Sequence, residues 1–343
     1  MDHVQDQTPS SPVPRAGRRL IGLGLGAVCA VLIFNQPAQA SEGGASIYLL
    51  GSGGPGVAIM PPLQGIFFQN TFYDYDGSAS ADRNFEIGGN VVAGVNASIP
   101  ADFVVGQWVP TTDFLGGTLM VGGALPFGGP SVDVNAILTG PLGRQIAVSR
   151  HDSTFVVGDP WLTGELGWQS GDLHLQVSSF VNIPIGDYHD GALANLAFHR
   201  WAGDTSFAGT WHNDKSGWDV STKVGFTFNG ANPSTQYATG TEFHLEGAVE
   251  KILSKAFSVG VQGYFFDQTT GDSGAGDRVG PFKGRVVGVG GEAAYNFMVG
   301  KAPITMRLHG VTEFDATNRL QGRAIWLDFV MPLWVKLPKG VHD

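Results

Sequence analysis

The stretch DLHLQVSSFVNIPI at positions 172–185 decides how the rest of the chain is read. Leu173, Leu175, Val177, Val181, Ile183 and Ile185 fall on one side of an extended segment; His174, Gln176, Ser178 and Asn182 fall on the other. Successive side chains of a strand point to opposite faces, so a period of two means a strand with one apolar and one polar face. WDVSTKVGFTFN at 218–229 repeats the pattern, with Trp218, Val220, Val224, Phe226 and Phe228 opposed to Asp219, Ser221, Lys223, Thr227 and Asn229. At 241–250, Phe243, Leu245 and Val249 oppose Glu242, His244, Glu246 and Glu250. Residues 257–268 oppose Phe257, Val259, Val261 and Phe265 to Ser258, Gln262 and Gln268, and residues 285–297 oppose Val287, Val289, Ala293, Tyr295 and Phe297 to Glu292 and Asn296. Weaker versions lie at 64–75, 88–109, 115–125, 131–140, 143–150, 161–169, 200–212, 303–314 and 320–334.

Segment length separates the two folds that alternate in this way. Strands of soluble sheets run about 5–6 residues, whereas about 9–11 are needed to cross a bilayer, and the clear segments here run 10–14. Composition agrees. Charged residues make up 15% of the chain, glycine contributes 51 of 343 residues and aromatics 11%; a soluble domain averages about 25% charged and 7% glycine. No run of 18 apolar residues occurs after position 40, so no membrane helix is expected. The turns 170–171, 213–217 and 253–256 are short, and 185–196, 229–240 and 269–280 are long and glycine-rich; short turns on one side and long loops on the other characterise outer-membrane barrels. Trp108, Trp161, Trp168, Trp201, Trp211, Trp218, Tyr264, Tyr295, Trp326 and Trp334 sit near strand ends, where aromatic girdles meet the lipid–water boundary. These features predict an all-β, antiparallel, up-and-down transmembrane β-barrel over 63–337 of about twelve strands (roughly ten to sixteen). Closure is required because hydrocarbon offers no partner to an open sheet edge.

Residues 1–40 read as a cleaved export signal. Arg15, Arg18 and Arg19 precede an apolar run of 15 residues, and Ala38-Gln39-Ala40 forms the small-x-small end. Cys29 is the only cysteine, so the exported chain has no disulfide, thiolate metal site or thiol nucleophile. Without residues 1–40 the chain keeps 17 basic and 28 acidic residues, a balance that argues against nucleic acid. Residues 41–62 do not alternate and are expected to be a glycine-rich lead-in or a segment tucked into the lumen; 338–343 form a tail.

Motifs for chemistry are sparse. Gly51-Ser-Gly-Gly-Pro-Gly56 matches G-x-G-x-x-G, but Pro61 and Pro62 follow where a dinucleotide site needs a helix. No histidine pair has metal-ligand spacing, although His244 between Glu242 and Glu246 shares one strand face with them. Ser179 and His174 lack any nucleophile frame. Neither catalytic residues nor a metal or cofactor is expected. The polar faces nominate lumen-lining residues instead: Glu165, His174, Gln176, Asn182, Lys223, Glu242, His244, Glu246, Gln262, Glu292 and Asn296. Glu250, Arg285, Arg307 and Arg323 are expected inside as well, because Arg or Lys facing lipid near the midplane costs about 2–4 kcal/mol.

Gly158-Asp159-Pro160 with Trp168, then NIPIGDY (182–188), ANLAFHRW (194–201), TEFHLE (241–246), GYFFD (263–267), GPFKG (280–284) and AYNF (294–297) carry a resemblance. The chain resembles the outer-membrane transporters linked to the meta-pathway of phenol degradation, distantly akin to the fatty-acid and toluene channels. That resemblance spans about 45–337. It implies passive uptake of small hydrophobic or aromatic compounds across the outer membrane of a Gram-negative bacterium. Outer-membrane lipid, the barrel-assembly machinery and the solute would be its partners. The family supplies no agreed binding residues. Barrels usually end on an aromatic residue, whereas this chain continues past Trp334 to Asp343, so the assembly signal is expected internally, near 329–334. A structural or adhesive barrel is the alternative, with a lipid-modifying enzyme behind it.

Overall fold

A computed structural model describes residues 42–139, 145–300 and 302–337; the expected leader and the 338–343 tail lie outside these. Twelve antiparallel strands form the wall: β1 (Gly65–Ile87), β2 (Asn90–Phe114), β3 (Gly117–Gly128), β4 (Trp161–Ser170), β5 (Leu173–Asn182), β6 (Ala202–Asn213), β7 (Trp218–Asn229), β8 (Glu242–Ile252), β9 (Phe257–Gln268), β10 (Arg285–Val299), β11 (Ala302–Thr317) and β12 (Gln321–Val335). Each pairs with its neighbour in sequence, and β1 pairs back on β12 from Gly65↔Val335 to Ser78↔Gln321. The ring is therefore closed, and around its circumference each strand has a neighbour on both sides.

The wall is a soluble fold turned inside out. Along β8, Glu242, His244, Glu246 and Glu250 are buried, while Leu245 and Val249 are exposed at 43% and 38%. Phe72, Val104, Leu162, Val177, Phe207, Phe226, Val261, Leu308 and Ile325 extend the same exposed apolar surface around the ring. A water-soluble monomer rarely exposes an apolar patch beyond a few hundred Å²; a belt of this kind requires lipid. The turns at one end are tight: Leu115 and Gly116 both take positive φ (52° and 74°) between β2 and β3, as a two-residue hairpin turn demands. The opposite end carries the long connections 183–201, 230–241 and 269–284.

Fourteen segments alternate in the sequence, and two of them leave the ring. Ser131–Thr139 and Gln145–Ser153 pair with each other, and Ser131–Val134 pairs with Val95–Ser98 of β2, at the long-loop end. The hairpin finds this edge because β1 and β2 run 23 and 25 residues. At about 3.3 Å per residue they reach roughly 75 Å and rise far beyond a hydrocarbon core of about 30 Å. β3 stops at Gly128, leaving the upper part of β2 free to pair elsewhere.

Candidate functional site

The lumen is occupied by the chain's own N-terminal segment, which enters at the long-loop end and descends to the tight turns. Glu42 meets Arg200 at 3.5 Å and Asn232 at 3.3 Å. Below it, the amides of Gly51 and Gly53 donate to the two oxygens of Glu246 at 2.9 and 2.5 Å. Gly56 donates to Asp219 and Ser221, Ala58 donates to Thr210, and Gln176 reaches the Met60 sulfur. An irregular segment cannot satisfy its own backbone, so the polar lumen wall does so. Its glycines are there for close approach: a Cβ on Gly53 would stand 2.5 Å from Glu246 Oε2, and one on Gly51 2.9 Å from the Trp326 ring.

Among the cavities that remain beside the segment, two share part of their lining. The upper, of about 160 Å³, is lined by Tyr73, Tyr75, Phe103, Trp161, Tyr264 and Leu196, with Asp159, Glu313 and Arg319 as its charged members; Asp159 is already engaged by Asn182 and by the amides of Gly186, Phe198 and His199. The lower, of about 360 Å³, is polar, with Gln69, Glu165, Gln176, Lys223, His309 and Asp328 in its walls. Tyr48, Leu49, Phe103 and Trp161 border both. They belong to a chain of aromatic contacts across the lumen: Tyr48–Phe180 at 6.5 Å, Phe180–Trp161 at 5.3 Å, Trp161–Phe103 at 5.6 Å, Phe103–Tyr73 at 6.3 Å and Tyr73–Trp326 at 5.2 Å between centroids. Stacked and edge-on rings of this spacing offer quadrupolar faces and edges to a flat aromatic guest.

Of the residues nominated from sequence, Glu165, Gln176 and Lys223 meet at the lower cavity, Glu165 accepting from Gln176 at 2.8 Å and Lys223 lying 5.1 Å from the Tyr48 ring centre. Glu246 holds the segment. His244 stacks on Tyr48 and meets Asp204 at 3.0 Å, so its flanking Glu242 and Glu246 do not converge on it. Gln262 contacts His309, and Glu292 with Glu250 takes Arg307 at 2.8 and 3.1 Å. Asn182 accepts from Trp161 Nε1 and donates to Asp159; His174 is buried at the tight-turn end. Asn296 is exposed, bonded to Thr305. Ser179 is exposed and His174 buried on the opposite side of β5, so they form no pair.

Three expectations need correction. Arg285 and Arg323 point outward and pair with exposed Asp315 and Asp76 at the long-loop rim rather than inward. Tyr264 and Trp326, counted with the lipid girdle, are buried at 5% and 2% and face the interior, and Trp161 lines both cavities. Trp108, Trp201, Trp211, Trp218, Tyr295 and Trp334 are exposed on the outside. None of the eleven nominated residues lines the upper cavity; it was missed because aromatic side chains were assigned to lipid. Parity carried a signal, since Phe180 shares its face with Gln176 and Ser178, and Tyr264 with Gln262.

A family model described as "Putative MetA-pathway of phenol degradation" matches residues 81–329. The chain belongs to this family. An outer-membrane channel from Pseudomonas putida F1 aligns with a TM-score of 0.61 at 17% identity, over 81% of this chain and 99% of that one; the two share a fold. A Pseudomonas aeruginosa FadL homologue aligns with a TM-score of 0.40 at 12% identity, over 81% and 91%. A channel for monoaromatic hydrocarbons, CymD, gives 0.40 at 8% identity, over 80% and 89%. No curated protein matches.

Proposed function

We propose that this chain is an outer-membrane channel of a Gram-negative envelope that admits small hydrophobic or aromatic compounds by passive diffusion. In this reading residues 1–40 are removed during export, the tight turns face the periplasm and the long loops face outward. The observation that carries it is the pair of adjoining cavities that share Tyr48, Leu49, Phe103 and Trp161 in their walls. An aromatic pocket at the outer end removes a planar solute from water, and a polar chamber beneath releases it. The upper volume of about 160 Å³ is close to that of an engineered apolar cavity of about 150 Å³ that binds benzene. Membership of a family named for phenol degradation agrees with an aromatic solute. The wall supplies no energy source, so movement follows the gradient.

Purified protein in vesicles tests this directly. Toluene and phenol should equilibrate at least tenfold faster than in empty vesicles, while a disaccharide stays excluded. Aromatic flux equal to that of empty vesicles would refute the channel and favour a barrel that works through its outer loops.

A further inference from the structure

The upper cavity contains a mismatch that a hydrocarbon would leave unresolved. Arg319 borders it, lies with its guanidinium carbon 4.4 Å from the centre of the Phe266 ring, and has a buried Nη1 with no partner. No hydrogen bond or ion pair to Arg319 occurs among the described residues. A guanidinium cannot shed its charge, so leaving even one buried N–H group unmatched beside an aromatic pocket is costly. Its companion Glu313 is nearly but not fully used. Tyr75 and Tyr264 donate their hydroxyls to it at 2.8 and 2.9 Å, and the Gly322 amide donates at 2.8 Å. An ionised carboxylate has about four acceptor sites, which leaves one.

We infer that this cavity is a binding site for a monocyclic aromatic bearing a hydroxyl group, with Arg319 and Glu313 reading the oxygen. The ring lies among Tyr73, Phe103 and Trp161. The hydroxyl oxygen accepts from Arg319, and its proton goes to the spare site on Glu313. A methyl group in the same place satisfies neither residue. A carboxylate satisfies Arg319 but sets a second negative charge beside Glu313. The adjoining cavity at the mouth, about 110 Å³, repeats the arrangement: it shares Ala45, Ile99 and Leu320 with the first. There Arg200, 5.1 Å from the centre of the Phe198 ring, also keeps a buried terminal nitrogen without a partner. An oxygenated ring therefore meets an unmatched donor twice on its way in.

This assignment rests on the aromatic-uptake reading, and toluene separates the two. Binding of radiolabelled phenol, benzoate and toluene is measured on the purified barrel, with heat-modifiable gel migration as the fold control. Arg319→Met should weaken phenol at least tenfold and change toluene less than twofold, with Arg319→Lys between. Glu313→Gln should raise benzoate relative to phenol. Equal losses of phenol and toluene in Arg319→Met, no loss of phenol, or benzoate binding more tightly than phenol to the unaltered protein each overturn the assignment while leaving aromatic uptake intact. No binding of any of the three overturns both.

Discussion

The upper and lower cavities lie on the same wall strands and behave as different solvents. The upper is bounded by rings and by three charged groups, of which Arg319 has no hydrogen-bond or ion-pair partner among the described residues; the lower adds amides, hydroxyls and polar pairs such as His309 with Asp328 at 3.1 Å to the rings it shares. The difference arises from the side chains carried by the inward positions of a strand. Tyr73 and Tyr75 of β1 face the upper space, and two residues further down Thr71 donates to Asp328 at 2.6 Å. Affinity and release are thus divided along a single column of alternate residues. The N-terminal segment touches both regions and places Tyr48 and Leu49 in the walls of each.

The largest test of that division removes the segment's anchor. Glu246→Ala takes away the acceptor of two buried amides, and hydrogen bonds to a charged group are worth about 1.5–3 kcal/mol each. Planar-bilayer recordings should show ion conductance rising at least tenfold, and protease should cleave within 42–60; unchanged conductance would mean that the segment is not what closes the lumen. Next in size, Trp161→Ala opens the aromatic layer where rings stand at 5.3 and 5.6 Å. Vesicle flux should then lose several-fold of its preference for phenol over glycerol, with the barrel still folded.

The smallest effect concerns the loops above both cavities. Asp272 sits in the 269–284 loop, where burial raises its carboxyl from the usual 3.8 to about 7 against the opposing hydrogen bonds from Tyr237, Gly240 and Gln268. A raised carboxyl pKa favours the folded loop while the group is protonated; that advantage is complete below about pH 4 and is lost as pH rises through about 7. Hydrogen-exchange protection factors across 230–241 and 269–284, corrected for the intrinsic pH dependence of amide exchange, should therefore be severalfold higher at pH 5 than at pH 8. Asp272→Asn should flatten the difference.

The barrel was legible because lipid and water make opposite demands on neighbouring residues, which prints a period of two through segments such as 242–250. Strand count was ambiguous for the same reason: the paired segments 131–139 and 145–153 alternate as spanning strands do, and only the pairing of the first with the upper part of β2 sets them outside the ring. The polar half of the lumen could be read, since Glu165, Gln176 and Lys223 oppose apolar neighbours. The aromatic half could not be read in full. Ala324, Ile325, Trp326 and Leu327 are all apolar, so nothing in their order says that Trp326 turns inward. Residues 42–60 carry no period because they follow neither a strand nor a helix through most of their length; their conformation is dictated by carboxylates about 195 positions away, as between Gly51 and Glu246.

The route of that segment constrains the order of assembly. It reaches Arg200 and Asn232 at one mouth and emerges at Gly65 at the other, where β1 immediately zips to Val335. Poking a leading end through a finished tube would drag bulky Tyr48 past Trp161 and Phe180. Laying it across a still-unrolled sheet requires no such passage. The seam between first and last strand is thus the final stitch, drawn shut over a thread already in place.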